Sequence, residues 1–296
     1  MIIIGSGMAG CLAAALIPGS QIYEPKNETP KHKAILRFRT DQIGKALGIP
    51  FKKVTVHKGI WHNDHPVQLA PKYIVRYARK VSQKITDRSI IHQETVERYI
   101  APDNFHKILL DMAGEVFYNY DILNLYGDDL NPGRISTIPI EVLCNLFNIP
   151  IKVNTMMSDP IYVSRYDIPD CDIHMTNYYT GTNTSIYRAS ISGNEVIIES
   201  SFPINADDIN IIKQSFGLDA VYFYQLLFNY EQKNGKITPF DDEVRKNIIF
   251  QLTRDHGIYS LGRFATWRNI VLDDVYKDIL RIKEWSNQSE YDRVIR

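Results

Sequence analysis

Three glycines near the start of the chain have a spacing that suits the binding of a phosphate group. Residues 5–10 read GSGMAG and fit the pattern G-x-G-x-x-G, so the candidate binding residues are Gly5, Ser6, Gly7, Met8, Ala9 and Gly10. The first glycine permits a tight turn, the second leaves room for a pyrophosphate beside the backbone, and the third lets a helix pack closely on a strand. A helix that begins in this turn would direct free N–H groups and a partial positive charge at the phosphates.

An acidic side chain stands where the adenosine ribose of a dinucleotide would lie. Residues 1–4 are an apolar run that predicts a buried strand, 11–17 predict a helix ended by Pro18-Gly19, and 21–24 predict a second strand. Glu24 ends this βαβ unit, where its carboxylate can accept hydrogen bonds from two ribose hydroxyls. The pattern therefore predicts a dinucleotide site, for NAD or FAD, at the start of the chain.

The bulk composition limits the class of protein and of partner. The 296 residues include 34 Lys+Arg and 34 Asp+Glu, and 44% are hydrophobic, which is typical of a globular chain. This neutral balance argues against non-specific nucleic-acid binding, and no apolar run is long enough to span a membrane. We therefore expect a soluble cytoplasmic protein with a small-molecule substrate, and make no prediction of its oligomeric state.

Neither the cysteines nor the histidines predict a metal site. The chain has three cysteines, at Cys11, Cys144 and Cys171. They are widely spaced and lack a CxxC pair, so we expect neither a disulfide framework nor structural zinc. Residues 57–65, HKGIWHNDH, gather three histidines and an aspartate, but no HExxH motif or second ligand cluster accompanies them. Two interpretations of residues 57–65 stay open. They form either a loop over the cofactor, with Trp61 or His62 as candidate catalytic residues, or a plain surface loop.

The periodicity of the remaining chain alternates between helical and strand-like segments. Helices are predicted over 71–85, 134–150 after a strand end, 205–232, 241–254 and 273–285. Strands are predicted within 87–127 and 151–202, with turns at Ala113-Gly114 and Ser192-Gly193-Asn194. The mixture indicates an α/β protein.

The segment from 94 to 127 resembles a region of the FAD-binding superfamily that includes amine oxidases and UDP-galactopyranose mutase. In that superfamily a short strand carries a valine whose backbone meets the adenine, and Val96 matches that valine. A β-meander follows there, and a tyrosine–aspartate–apolar strand then returns toward the cofactor. Residues 120–123, YDIL, match the return strand. The resemblance implies FAD rather than NAD.

Residues 257–282 resemble the closing FAD motif of UDP-galactopyranose mutase-like proteins. In that motif a strand, a Gly-Arg pair, an aromatic residue and a helix follow one another. The matching positions are Gly262, Arg263, Trp267, Leu272 and Asp273. The resemblance implies that Arg263 neutralises the pyrophosphate, that the helix N-terminus stabilises negative charge on reduced flavin, and that Trp267 is a candidate catalytic residue.

Further candidate residues follow from the same resemblance. On the strand pair of the substrate domain, Arg188 matches an arginine that faces the cofactor or the substrate phosphate, and it is a candidate catalytic residue. Arg37 matches an arginine that in many FAD proteins contacts the cofactor or lines its entrance. Arg37 and Arg39 share one predicted strand face, which would either bind a phosphate or a substrate carboxylate or face solvent.

Apart from the resemblance, the hydroxyl-rich residues 176–184, TNYYTGTNT, predict either a plain strand and turn or a polar wall for the substrate, with Tyr178 or Tyr179 as hydrogen-bond donors. No residue is assigned as a general base.

These observations predict an α/β fold with two parts. The first is an FAD-binding Rossmann-type domain with a β-meander, discontinuous over 1–150 with 251–296. The second is a smaller α+β substrate domain over 151–250.

The predicted activity is that of an FAD-dependent oxidoreductase of the amine-oxidase kind, in which a hydride passes from a carbon next to nitrogen to flavin N5. Three alternatives stay open: a non-redox flavin enzyme like UDP-galactopyranose mutase, a phage-type flavoenzyme that acts on an amine of a modified DNA base, and an FAD-binding protein without turnover. Covalent serine hydrolysis is not predicted, because the chain has no G-x-S-x-G motif.

Overall fold

The computed structural model describes residues 1–30, 36–82, 90, 95–121, 124, 133–151, 156–169, 171–218, 225–238 and 240–286. The chain divides into two units, each assembled from separate segments. The first unit contains Met1–Lys52, Tyr99–Met156 and Pro239–Arg296, and the second unit contains Lys53–Arg98 and Met157–Thr238.

The described helices and strands alternate along the chain. The helices are α1 (Met8–Leu16), α2 (Gln42–Leu47), α3 (Pro71–Ser82), α4 (Phe105–Ala113), α5 (Ile140–Leu146), α6 (Ala206–Phe216), α7 (Asp242–His256) and α8 (Leu272–Ser286). The strands are β1 (Ile2–Ile4), β2 (Gln21–Glu24), β3 (Arg37–Phe38), β4 (Lys52–His62), β5 (His65–Pro66), β6 (Val96–Ile100), β7 (Val116–Tyr118), β8 (Arg134–Ser136), β9 (Ser158–Asp167), β10 (His174–Tyr179), β11 (Ile186–Ser192), β12 (Glu195–Ser200), β13 (Gln225–Ile237) and β14 (Ile258–Ser260). No helix among the described residues is both long and apolar enough to cross a membrane.

The first unit contains a parallel five-stranded sheet in the order β14-β8-β1-β2-β7. Ile3 and Ile4 of β1 are fully buried, as expected for a central strand of a parallel sheet. The connection to β2 is α1, whose small residues Cys11 and Ala13 lie in the core of this unit. The predicted βαβ unit is therefore confirmed, with α1 beginning at Met8 because the glycine loop ends at Gly7.

The connection between β2 and β7 differs from the prediction. The sequence pattern predicts a strand through 106–113 with a turn at Ala113-Gly114, but these residues lie in α4 and at its end. Phe105 and Leu109 are fully buried in the same core as α1, so the apolar spacing here is the helical i,i+4 spacing. Gly114 has φ 81° and ends the helix.

A helical crossover thus stands where part of the predicted meander would be. After α4, β7 pairs in parallel with β2, at Ile22 opposite Val116. Tyr120 and Asp121 of the predicted return strand are outside any strand, and 122–123 lie outside the described residues. β1 is flanked by β2 on one side and by β8 on the other. β8 corresponds to the strand end predicted before α5.

The second unit is built on a mixed sheet with the strand order β13-β9-β12-β11-β10-β4-β6. β4 and β10 are parallel, and the pairs from β10 through β13 are antiparallel. One face is covered by α6, whose Ile212 shares a buried core with Tyr179, Ala189 and Ile198. The predicted hairpin at Ser192-Gly193-Asn194 joins β11 to β12 and is confirmed.

Three predicted boundaries differ from the structure. The helix predicted over 205–232 ends at Phe216, and residues 225–232 belong to β13, where alternating side chains suit pairing with β9. The sequence assigns 53–98 to the FAD-binding domain, but these residues lie in the second unit because β4 pairs with β10. Residues 240–250, assigned to the substrate domain, lie in the first unit. The helices predicted over 71–85, 134–150, 241–254 and 273–285 correspond to α3, α5, α7 and α8.

Candidate functional site

The loop between β1 and α1 has the geometry that its glycines predict. Gly5 has φ 102°, and a Cβ there would lie 2.2 Å from Thr137 Oγ1. A Cβ at Gly10 would lie 1.9 Å from the Gly5 carbonyl oxygen, so the helix can approach the loop only without a side chain at 10. A Cβ at Gly7 would meet no described atom within 4 Å. The second glycine therefore borders open space at the start of α1.

The N-terminus of α1 offers hydrogen-bond donors to this space. Gly7 is the N-cap residue, and in this fully described helix neither a side-chain cap nor a first-turn acid is present. The first N–H groups of an α-helix have no partner within the helix. Together with the helix dipole they favour an anion beside Gly7.

Glu24 lies at the end of β2, as predicted for a ribose-binding acid, and its buried carboxylate holds the glycine loop. Its Oε2 accepts hydrogen bonds from the N–H and the hydroxyl of Ser6, both at 2.7 Å. Its Oε1 accepts from the N–H of Lys26 at 3.1 Å. A ribose hydroxyl bound here would share the carboxylate with Ser6.

A second contact to Ser6, from α4, was not predicted. His106 Nε2 lies 3.2 Å from the Ser6 carbonyl oxygen, and Cys11 Sγ donates to the same oxygen at 3.0 Å. Burial lowers the pKa of His106, and burial together with the Glu24 charge raises the pKa of the Cys11 thiol to about 12. A carbonyl only accepts, so the neutral His106 carries its proton on Nε2. To identify His106 from the sequence, one would have to know that residues 105–113 form a helix that packs on α1.

The segment after β14 reaches the same glycine loop. Gly262 has φ 90°, and a Cβ there would lie 3.0 Å from the Ala9 Cβ in the first turn of α1. The turn is closed by Thr266, whose N–H and hydroxyl donate to the Gly262 carbonyl at 3.0 and 2.7 Å. Trp267 is buried with φ 45°, which is rare for a bulky residue. The structure thus brings the predicted Gly262-Arg263 pair beside the predicted glycine loop.

Leu272 and Asp273 begin α8, but the Asp273 side chain binds the protein itself. Its Oδ1 accepts from the N–H groups of Arg39 and Thr40 at 3.0 and 3.1 Å. The Arg39 guanidinium lies 3.1 Å from a carboxylate oxygen of Asp274. These contacts fix the start of α8 to the loop that follows β3.

Two predicted cofactor residues lie in strands. Arg37 is half-buried in β3, opposite Ile100 of β6. Val96 is the first residue of β6 and is also half-buried. Neither belongs to the glycine loop, and their predicted contacts with a cofactor stay predictions.

The candidates Tyr178 and Arg188 lie side by side in the second unit. They are paired across β10 and β11, and Arg188 forms an ion pair with Glu199 of β12. Burial opposes the Arg188 charge, but the Glu199 carboxylate raises its pKa well above the usual value, so the guanidinium stays charged. The Tyr77 ring of α3 lies 5.6 Å from that of Tyr178. This arrangement gives the sheet an aromatic and charged patch.

Tyr179 faces the other way and does not suit the predicted role of substrate donor. It is 1% exposed, and its hydroxyl lies 2.5 Å from Ser215 Oγ of α6. Trp61 and His62 end β4, next to Thr180, where His62 also receives a hydrogen bond from Arg76 of α3. Among the described residues, no group of three or more metal-ligating side chains occurs.

Several solved structures of enzymes share this architecture. Reduced UDP-galactopyranose mutase matches with a TM-score of 0.65 at 12% identity, over 96% of this chain and 93% of that one. The chain has the fold of the FAD-binding Rossmann-type flavoproteins. An oxidoreductase from Methanosarcina mazei matches this fold with a TM-score of 0.55 at 9% identity, over 96% and 99% of the two chains. A flavin-dependent halogenase from Xanthomonas campestris has a TM-score of 0.53 at 10% identity, over 99% and 72%. No protein-family model and no curated protein sequence matches the chain.

The residues present fit the dinucleotide that proteins of this fold hold at the first βα turn. Space at Gly7 and the uncapped start of α1 suit a pyrophosphate. Glu24 lies at the end of β2, where the adenosine ribose would bind. Arg263 directly follows Gly262, which approaches Ala9 in the first turn of α1.

Proposed function

We propose that this chain is an FAD-dependent oxidoreductase whose cofactor pyrophosphate binds in the loop between β1 and α1. The observation that carries the proposal is the open space at Gly7, bordered by uncapped N–H groups of α1. The close approach of Gly262 to Ala9 supports FAD, because it joins the C-terminal Gly-Arg pair to the same loop.

The chain's own residues would bind and orient the cofactor. The N–H groups of α1 and the Arg263 guanidinium would balance the pyrophosphate charge. Glu24 would accept hydrogen bonds from the ribose, which disfavours a phosphate at the 2′ position because two anionic groups would then meet. When bound, FAD supplies a hydride acceptor at flavin N5.

We propose a carbon next to nitrogen as the hydride donor. The support in the second unit is the patch around Tyr178, which combines tyrosine rings with the Glu199 carboxylate. Aromatic faces and carboxylates attract an ammonium group, and Arg188 beside them would bind an anionic part of the same substrate.

The first experiment is an absorbance spectrum of the purified protein, followed by addition of FAD to the colourless fraction. The variant Gly7→Ala places a methyl group in the open space, so FAD should bind at least tenfold more weakly, while the free energy of unfolding changes by less than about 1 kcal/mol. Gly10→Ala is the comparison variant: its Cβ overlaps the Gly5 carbonyl, so it should destabilise the unliganded protein itself. Unchanged FAD binding by Gly7→Ala would contradict the proposed pyrophosphate position.

The amine assignment is tested separately, by mixing the FAD-loaded protein with a panel of amines without oxygen. Loss of the oxidised flavin absorbance, followed by peroxide formation in air, is the expected result. A protein that binds FAD but is not reduced by any amine in the panel would contradict the amine assignment and leave the FAD assignment intact.

A non-redox flavin reaction like that of UDP-galactopyranose mutase is the second candidate. The observation that favours it is the match to that enzyme along 96% of this chain and 93% of the other. Activity on a nucleotide sugar only after chemical reduction of the flavin would support this candidate. Amine-dependent reduction of the flavin would instead favour the oxidase.

A further inference from the structure

Three cationic side chains on one face of α3 lie along the ends of β4 and β10. Lys72, Arg76 and Lys80 are spaced four residues apart, so they form a row about 12 Å long. Arg76 donates a hydrogen bond to His62 Nε2, and Lys80 Nζ donates to the Gly181 carbonyl oxygen at 2.8 Å. We call these three cations and His62 the α3 cation row.

Hydrogen bonds fix the protonation state of His62. The Thr180 hydroxyl donates to the Trp61 carbonyl oxygen at 3.2 Å, and His62 Nδ1 lies 3.2 Å from the same hydroxyl oxygen. A hydroxyl has one proton, so Nδ1 must be the donor in the second contact. His62 Nε2 is then the acceptor for Arg76, and the imidazole is neutral. This hydrogen bond places the exposed Arg76 guanidinium beside His62.

The charges of the row lack carboxylate partners. In the part of the chain that the structure describes, none of the three cations forms an ion pair. Two acidic residues are nearby, and both bind other groups: Asp208 of α6 accepts from Thr184 Oγ1, and Asp64 accepts from Asn183. Like charges at i,i+4 repel, so the row is a place where an anion would be stabilised.

The excess positive charge of the row also affects the pKa values of its two half-buried residues, His62 and Lys80. Burial, with the charges of Arg76, Lys72 and Lys80, lowers the pKa of His62. Burial lowers the pKa of Lys80 to about 7, and the Asp208 charge opposes this only in part. An anion in the row would favour the charged form of both groups.

We propose that the α3 cation row binds the phosphate group of a small ligand. When His62 takes up a proton, Nε2 can no longer accept from Arg76, so that hydrogen bond is lost. The Nε2–H and the Arg76 guanidinium can then each donate to a different oxygen of the same phosphate. Lys72 and Lys80 add positive charge on either side. The row lies entirely in the second unit, so this inference holds whether or not the glycine loop binds FAD.

The experiment is a titration of the full chain with inorganic phosphate, followed through the His62 imidazole signals by NMR. Sodium chloride at equal ionic strength is the salt control, and the His62→Gln variant assigns the signals. We expect phosphate, but not chloride, to raise the pKa of His62 with a saturable dependence on concentration. Arg76→Gln should weaken phosphate binding about tenfold or more, because one bidentate charged partner is lost.

Arg79→Gln is the matched control. Arg79 is an exposed arginine of the same helix that lies outside the row, so its replacement should leave phosphate binding unchanged. Lys72→Gln is the second test variant, also exposed, and should weaken binding without unfolding the protein. The proposal would be overturned by a response to phosphate equal to that to chloride, or by equal losses in Arg79→Gln and Arg76→Gln.

Discussion

Ser6 is held by side chains from three different elements of the first unit. Glu24 of β2 accepts from its N–H and hydroxyl, whereas His106 of α4 and Cys11 of α1 donate to its carbonyl oxygen. The Ser6–Gly7 peptide is planar, so fixing the Ser6 carbonyl on one side turns the Gly7 N–H to the opposite side. A loop whose donors are already oriented loses less conformational freedom on binding. We therefore expect His106 to be a positioning residue for the phosphate site proposed at the glycine loop.

The variants His106→Leu and His106→Gln separate this role from simple packing. Leucine keeps much of the volume but removes the donor, so FAD should bind roughly tenfold more weakly. Glutamine places its amide nitrogen where His106 Nε2 lies, and FAD affinity should return to near that of the native protein. Affinity is measured by quenching of flavin fluorescence, with Lys107→Gln, an exposed neighbour on α4, as the control. Equal affinity of the Leu and Gln variants would contradict the positioning role.

Local pattern predicts the residues of the loop but not their partners. The spacing of Gly5, Gly7 and Gly10 is enough to predict the tight turn and the start of the helix. The strand that ends at Glu24 is predicted from the short segment 21–24 after that helix. His106 lies 100 residues from Ser6 in sequence, and no motif links the two. Its role depends on packing of α4 on α1, which periodicity alone did not reveal.

Two secondary-structure elements, α4 and β13, were predicted wrongly from the sequence. α4 was predicted as a strand, and the first part of β13 as a helix. HKILLDMA is apolar enough for either a strand or a helix, and burial of Phe105 with Leu109 decides for the helix. Residues 225–232 follow a helix-rich segment, yet they pair with β9 in a sheet. In both cases a tertiary neighbour, rather than intrinsic propensity, selects the structure.

Asp273 connects two elements that are far apart in the chain, the start of α8 and the loop after β3. Asp273→Ala leaves the N–H groups of Arg39 and Thr40 without this buried acceptor, so the free energy of unfolding should fall by about 1–3 kcal/mol. Arg39→Ala removes only the exposed ion pair to Asp274 and should cost less than about 1 kcal/mol. Urea denaturation measures both. Equal losses in the two variants would show that the backbone contacts of Asp273 contribute little.

On the scale of the whole molecule, the chain passes between the two units four times. The crossings fall at Lys52–Lys53, Arg98–Tyr99, Met156–Met157 and Thr238–Pro239. The sequence predicts a discontinuous first domain but places 53–98 in it, because no local signal tells that β4 pairs with β10, more than 100 residues away. The sequence therefore predicts where several strands lie in the chain, but it does not predict which strands pair with each other.

The pH dependence of stability draws on both units, because each holds a neutral histidine. Burial is the main cause that lowers the pKa of His62 in the second unit and of His106 in the first, from an ordinary value of 6.5. The unfolded chain takes up protons at these residues near pH 6.5, before the native protein does. The stability they contribute is therefore present above about pH 6.5 and is lost as the pH falls through their lower native pKa values.

Replacement of both histidines should flatten the acid side of the stability curve. We expect the free energy of unfolding of the native chain to fall more steeply between about pH 6.5 and 5 than that of the His62→Gln, His106→Gln double variant. His65→Gln, which alters an exposed histidine beside β4, should follow the native curve. Urea denaturation at several pH values, in buffer without phosphate, gives the comparison. Phosphate is left out because an anion in the α3 cation row would favour protonated His62 in the native state and mask the effect. Parallel curves for the native chain and the double variant would mean that carboxylates alone set the acid limit.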